Sequence, residues 1–146
     1  MPTGYPKPEN KAAYSRVKSK WRKRRCELGI CVRCGKPRNR PTGWYCPTCV
    51  KKTSVESARF RLEHRRLVLE HYGNKCACCG EINKGFLSID HVNSNGAEHY
   101  RIDPTSVNLS RWLVKHKFPD GFQILCYNCN CGRAYNKGVC PHKQSS

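Results

Sequence analysis

The chain has 146 residues, a formal net charge of +18 from 28 Lys and Arg against 10 Asp and Glu, and a hydrophobic fraction of 38% that counts twelve Cys. No run of about 18 apolar residues is present, which excludes a helical membrane span, and so little Leu, Ile, Val and Phe excludes a fold held by its apolar core alone. The basic surplus runs from Lys7 through Arg66 and returns at Arg133 and Lys137, so the expected partner is a polyanion, above all nucleic acid.

In chain order, residues 1–10 hold three prolines and a glycine and read as disordered. The first 25 residues contain no apolar signal core, and without export twelve cysteines point to metal in the cytoplasm rather than disulfides. Residues 11–28 read either as a basic helix with Tyr14, Val17 and Trp21 on one side or as a basic arm that orders on DNA. Next come Cys31-x2-Cys34 and Cys46-x2-Cys49, two knuckles eleven residues apart. Each knuckle turns two thiolates toward one ion, and two knuckles complete a tetrahedron. A four-cysteine zinc ribbon or a small treble-clef-like module is expected. Its role is structural because no coordination position is left open. Arg33, Lys36, Arg38 and Arg40 crowd its loop and are expected to contact DNA.

Residues 53–73 form the strongest helix in the sequence, with Thr53 or Ser54 as its cap and Gly73 in the position that ends helices. Arg59, Arg61, Arg65 and Arg66 make its charged face a basic linker. Residues 86–92, FLSIDHV, read as a strand. Asp103-Pro104 reads as an N-cap with proline at the first helical position, followed by Leu109, Trp112, Leu113 and His116 at helical spacing, with Trp112 expected in the core. FQIL, residues 122–125, is a second strand, and residues 128–137 are a candidate last helix. Cys76-x2-Cys79 and Cys126-x2-Cys129 form a second tetrad only if the intervening strands and helix fold back, and Cys78 offers an alternative ligand. Cys26, Cys131 and Cys140 are left over. With Cys78 and His142 they contain a possible third site, but the preferred reading is reduced thiols, with Cys140-Pro141-His142 packing the carboxyl terminus.

The segments KCACCGE, LSIDHVN, GFQILCYNCN and GVCPH together resemble the zinc-containing HNH endonucleases common in phage and mobile-element genomes, over residues 72–142. The Cys31–Cys49 module and basic helix more weakly resemble amino-terminal zinc modules that accompany such enzymes. The resemblance implies a small, zinc-stapled α+β protein with a ββα-metal nuclease domain. The chain is thus expected to divide into a basic arm or helix over 1–29, a four-cysteine zinc module over 30–52, a linker helix over 53–73 and, by the resemblance, a nuclease domain over 74–146. The resemblance implies Asp90 as a carboxylate ligand and Asn130 as an amide-oxygen ligand to a catalytic Mg²⁺ or Mn²⁺, with His91 as general base. It makes Cys76, Cys79, Cys126 and Cys129 a second structural zinc site, for two zinc ions in all.

The chemistry agrees: oxygen donors suit a hard cation, and a neutral imidazole is suited to take a proton from water. For Asp90 and His91 to serve one site, the strand must bend or end there, since successive side chains otherwise face opposite ways. The family's middle asparagine is replaced by Gly121, with Asn93, Asn95 or Asn108 as substitutes, and His99 and Arg101 are further candidates for ligand or phosphate contact. Arg38, Arg40, Arg59, Arg65, Arg66, Arg101, Arg133 and Lys137 are the expected DNA contacts. The expected activity is DNA phosphodiester hydrolysis, in the cytoplasm of a bacterial host. The alternatives are a zinc-finger DNA-binding protein without catalysis, and a structure-specific resolvase or packaging nuclease on the same fold.

Overall fold

The computed structural model describes residues 11–143, so the reading of residues 1–10 as disordered lies outside the described residues. Across the described residues it is a small α+β protein of five α-helices and one two-stranded antiparallel sheet. Two compact units, Met1–Ala58 and Arg59–Ser146, divide inside the longest helix.

In the first unit, α1 (Lys11–Glu27) settles the choice between helix and arm in favour of helix. It ends at Gly29, whose φ of +66° lets Ile30 donate back to the Arg25 carbonyl at 2.8 Å. The knuckle that follows is closed by Cys31 N–H donating to the Lys36 carbonyl and Gly35 N–H to the Cys31 carbonyl, at 2.8 and 3.0 Å. Gly35 sits at φ +76°, a conformation that favours glycine. Among the described residues, extended pairing in this unit is a single bridge between Ile30 and Pro37. The expected ribbon is therefore corrected: the second knuckle opens a helix rather than a second hairpin. That helix, α2 (Pro47–His71), starts six residues before the expected Thr53, because Pro47 supplies a first-turn φ without needing a hydrogen bond. Cys31, Cys46 and Cys49 are themselves the buried cluster of this unit, with Tyr45 packed on them.

The second unit repeats the plan. Cys76 N–H donates to the Glu81 carbonyl and Gly80 N–H to the Cys76 carbonyl, at 2.8 and 3.0 Å, the same closure at the same spacing. Strand β1 (Leu87–His91) pairs with β2 (Phe122–Cys126), setting Leu87 opposite Cys126, Asp90 opposite Gln123 and His91 opposite Phe122. β2 runs directly into α5 (Tyr127–Tyr135), which has Cys126 as its N-cap. Each four-cysteine set thus places its second pair at the start of a helix, where the amide dipoles favour thiolates.

Between the strands lie α3 (Gly96–Ile102), which was not expected, a short 3-10 turn (Pro104–Val107) and α4 (Leu109–Lys115). Asp103 caps the 3-10 turn, with its side chain accepting from Thr105 N–H, while Asn108 caps α4 in the same way through Arg111 N–H. α2 ends where expected, with Gly73 at φ +108° and both Gly73 and Asn74 donating to the Leu69 carbonyl.

Val68, Leu69, Leu87, Leu113, Ile124 and Leu125 form the apolar core of this unit around four buried cysteines. Leu113 is fully buried in it, so Leu113→Ala is expected to lower stability by about 2–5 kcal/mol. The check is a lower urea midpoint at unchanged slope. Among the described residues no helix is long and apolar enough to cross a membrane.

Candidate functional site

Cys31, Cys34, Cys46 and Cys49 converge, as do Cys76, Cys79, Cys126 and Cys129, each set with its sulfurs within 4.8 Å of one another. The Cys34–Cys46 and Cys79–Cys126 sulfur separations are 3.7 and 3.6 Å. Two thiolates on a tetrahedral zinc at Zn–S near 2.3 Å lie about 3.8 Å apart, so both sets fit the ion. Backbone amides point at the sulfurs: Cys46 N–H at Cys31 Sγ, 3.2 Å, and Cys129 N–H at Cys126 Sγ, 3.4 Å.

Burial opposes ionisation of Cys31, but the amides of Cys34, Cys46 and Arg33 outweigh it and bring the thiol down to about 6. Cys49 is pushed up to about 12, by burial first and then by the sulfurs around it. The second set behaves alike. Burial opposes ionisation of Cys76, and amides led by that of Cys79 bring it to about 6, while burial and neighbouring sulfurs push Cys129 up. Four thiolates this close repel one another, and a divalent cation lets all four ionise together.

A third cluster joins Cys78, Cys129, Cys140 and His142. This corrects the preferred reading of Cys140 as a left-over reduced thiol, places Cys78 in a third cluster rather than as a substitute in the second, and adds one cluster to the two expected. Cys26 and Cys131 take no part: the Cys26 thiol faces the Gly43 carbonyl at 3.3 Å, and Cys131 is exposed.

Asp90, His91, Ser94, Asn130 and Arg133 line one cleft of about 510 Å³ beside Gly138. β1 ends at His91, where Ser94 N–H turns back onto the His91 carbonyl at 2.9 Å, so consecutive side chains reach the same cleft. Asp90 Oδ2 accepts from Gln123 Nε2 at 2.8 Å and from Arg133 Nη1. Arg133 also donates to the carbonyls of Gly138 and Val92, at 3.0 and 2.9 Å. Only 14% of its side chain is exposed, so it is built into the cleft wall rather than extended into solvent. Asn130 Nδ2 donates to Ser88 Oγ at 3.1 Å, and that hydroxyl donates to the Leu125 carbonyl, which fixes which way the amide oxygen points.

His91 Nε2 lies 2.9 Å from His99 Nδ1. Burial first, then His99, holds the His91 pKa below its ordinary value, and Asp90 partly offsets this, so the ring is neutral at pH 7. A Cβ on Gly96 would stand 3.1 Å from His91 Nδ1, so the glycine keeps that edge open. His99 packs edge-on against Trp112, whose Nε1 donates to Asp103 Oδ2 at 2.7 Å. Bonds from Thr105 first and Trp112 next hold Asp103 down to about 2.

The side chain that meets His91 is thus His99, not Asn93, Asn95 or Asn108, and Asn108 is committed to capping α4. Gly121 adopts φ +93° and its carbonyl accepts the Val92 N–H at 3.0 Å.

Several arginines expected at DNA make internal bonds. Arg65 donates to the Lys84 and Leu87 carbonyls, Arg66 pairs with Glu63 and Glu70, and Arg38 donates to the Gly43 carbonyl. Arg101 lies 3.9 Å from Glu98. Arg59 and Lys137 are exposed, and Arg40 is half-buried. Within the first unit, Lys18, Trp21, Arg22, Arg33 and Tyr45 line a basic, aromatic groove of about 440 Å³. Its helical half was legible in sequence as a basic helix with Trp21 on one side, but not as a groove.

No family model matches the chain, and no curated protein or solved structure matches it.

Proposed function

We propose that this protein is a metal-dependent DNA endonuclease of the HNH type, with Asp90 and Asn130 holding a divalent cation and His91 acting as general base. One observation carries the reading: a carboxylate, an amide oxygen and a neutral imidazole share one cleft with an arginine. The donor set is hard and oxygen-rich, as Mg²⁺ or Mn²⁺ requires. Both contacts to Asp90 fall on Oδ2, which leaves Oδ1 as its coordinating oxygen. Ser88 holds the Asn130 amide by its nitrogen, which leaves the oxygen as donor, in the manner of groups that orient metal ligands. When bound, such a cation relieves the charge that builds on the phosphate.

The remaining steps belong to the chain itself. His91 keeps its proton on Nε2, donating to His99 Nδ1, so Nδ1 beside Gly96 is free to accept. Water attacks phosphorus as its proton passes to Nδ1. The P–O3′ bond breaks and O3′ takes a proton from solvent, leaving a 5′-phosphate and a 3′-hydroxyl. Arg133, at the cleft wall, meets the phosphodiester, and Arg40, Arg59, Arg101 and Lys137 supply diffuse attraction to the backbone. The three cysteine clusters hold structural zinc in this reading.

The competing reading, a zinc-stapled DNA-binding protein without catalysis, is favoured by the Arg133–Asp90 ion pair, since that contact engages the carboxylate. Supercoiled plasmid with Mg²⁺ or Mn²⁺ separates the two. The full chain is expected to nick it and Asp90→Asn to lose nicking while still retarding DNA in a gel. Binding without metal-dependent nicking by the unaltered chain overturns the nuclease reading.

A further inference from the structure

The second and third metal-binding clusters have one residue in common, Cys129. Two independent four-coordinate sites need eight ligands, whereas these two clusters bring together seven: six cysteines and His142. Cys129 is fully buried on α5, with His142 Nδ1 3.3 Å from its sulfur. That ring nitrogen is also 3.6 Å from Cys140 Sγ. A sulfur and an imidazole nitrogen on one tetrahedral zinc lie about 3.6 Å apart, so the geometry fits a second ion beside the first.

We infer that the second unit holds a dinuclear zinc centre in which the Cys129 thiolate bridges the two ions. Cys76, Cys79 and Cys126 complete the first coordination sphere, and Cys78, Cys140 and His142 complete the second. Sharing resolves the ligand count, because each ion then has four donors. It also resolves the charge. A zinc ion held by four thiolates carries about −2, and adding Zn²⁺ with two further thiolates and a neutral imidazole leaves that total unchanged. The bridge therefore adds an ion to a buried site without adding net charge. The protons of Cys78 and Cys140 pass to solvent as their sulfurs bind.

Packing is arranged for the same end. A Cβ on Gly132 would lie 2.8 Å from Pro141 Cδ, so only glycine lets the Cys140-Pro141-His142 segment close onto α5. The Cys78 sulfur lies within 4.8 Å of those of Cys129 and Cys140, which brings the knuckle to the carboxyl-terminal segment.

The test uses the full chain reconstituted with ¹¹³Cd²⁺, with zinc content measured in parallel on the zinc-loaded protein. Three cadmium resonances are expected, two of them split by each other through the shared sulfur, and zinc analysis should return three ions per chain. Two resonances without mutual splitting would mean that one ion uses either ligand set, and three unsplit resonances would mean separate sites. Either result overturns the bridge. The double variant Cys140→Ser, His142→Ala is expected to lose one ion and the splitting while keeping its far-ultraviolet helix signal. Gly132→Ala should weaken the same ion without removing a ligand. Retention of three ions by the double variant also overturns the assignment. None of these readouts depends on whether the protein cuts DNA.

Discussion

His91→Ala is expected to slow metal-dependent plasmid nicking by on the order of 10²–10⁴-fold, the usual contribution of a positioned general base, with little change in DNA affinity. The imidazole makes no bond to the cysteine clusters, and its loss opens space at the edge of the cleft beside Gly96. The histidine pair gives the experiment a second arm. His99→Ala removes the group that fixes the tautomer and orientation of His91 while sparing the base itself. Its effect should be smaller and confined to turnover, with DNA affinity unchanged. Nicking by His91→Ala at the rate of the unaltered chain, measured from the loss of supercoiled DNA with time, would remove His91 from the mechanism.

The largest effect on structure is expected from Cys31→Ser. The first unit has three buried cysteines and a half-buried tyrosine where an ordinary domain has an apolar core. Structural zinc in comparable small modules contributes about 10–16 kcal/mol of binding free energy at pH 7, and that energy is folding energy. Loss of one ligand should therefore remove amide-exchange protection from α1 and the start of α2, while Leu87–His91 and Phe122–Cys126 stay protected. A chelator strong enough to strip the ion should reproduce the pattern in the unaltered chain. Protected α1 amides in Cys31→Ser would mean that this unit has some other source of stability.

The cysteine pairs, the two strands and the glycine ending α2 were legible because each is a local signal: a spacing, an alternation, a residue suited to positive φ. Asp90, His91 and Asn130 stood out for the same reason, next to a strand end and a knuckle. What escaped reading depends on approaches across long separations. Arg133 reaches Asp90 across 43 residues, and nothing local separates it from an arginine facing solvent. His99 stands among the sequence candidates, but its helix of seven residues with no buried member is too short and too polar to register as periodic, so its approach to His91 was not legible. The third metal-binding cluster was legible only as a possibility, because no spacing rule joins Cys78 to Cys140 and His142, and the part of Cys129 in it was not legible at all. α2 starts earlier than its pattern predicts because the spacing of Cys46 and Cys49 signals a metal module and carries no helical period.

Each four-cysteine set takes its first pair from a glycine-closed loop and its second from the start of a helix, but the chain between the pairs differs. Eleven residues separate Cys34 from Cys46, whereas 46 separate Cys79 from Cys126. Closing the longer loop costs about 1 kcal/mol more in chain entropy, and it must also wait for strands of distant sequence to meet. A helix carries a nucleation penalty for its first turn, and an ion clasped by Cys46 and Cys49 fixes that turn in advance. An ion held by the short loop is therefore expected to favour the first turn of α2.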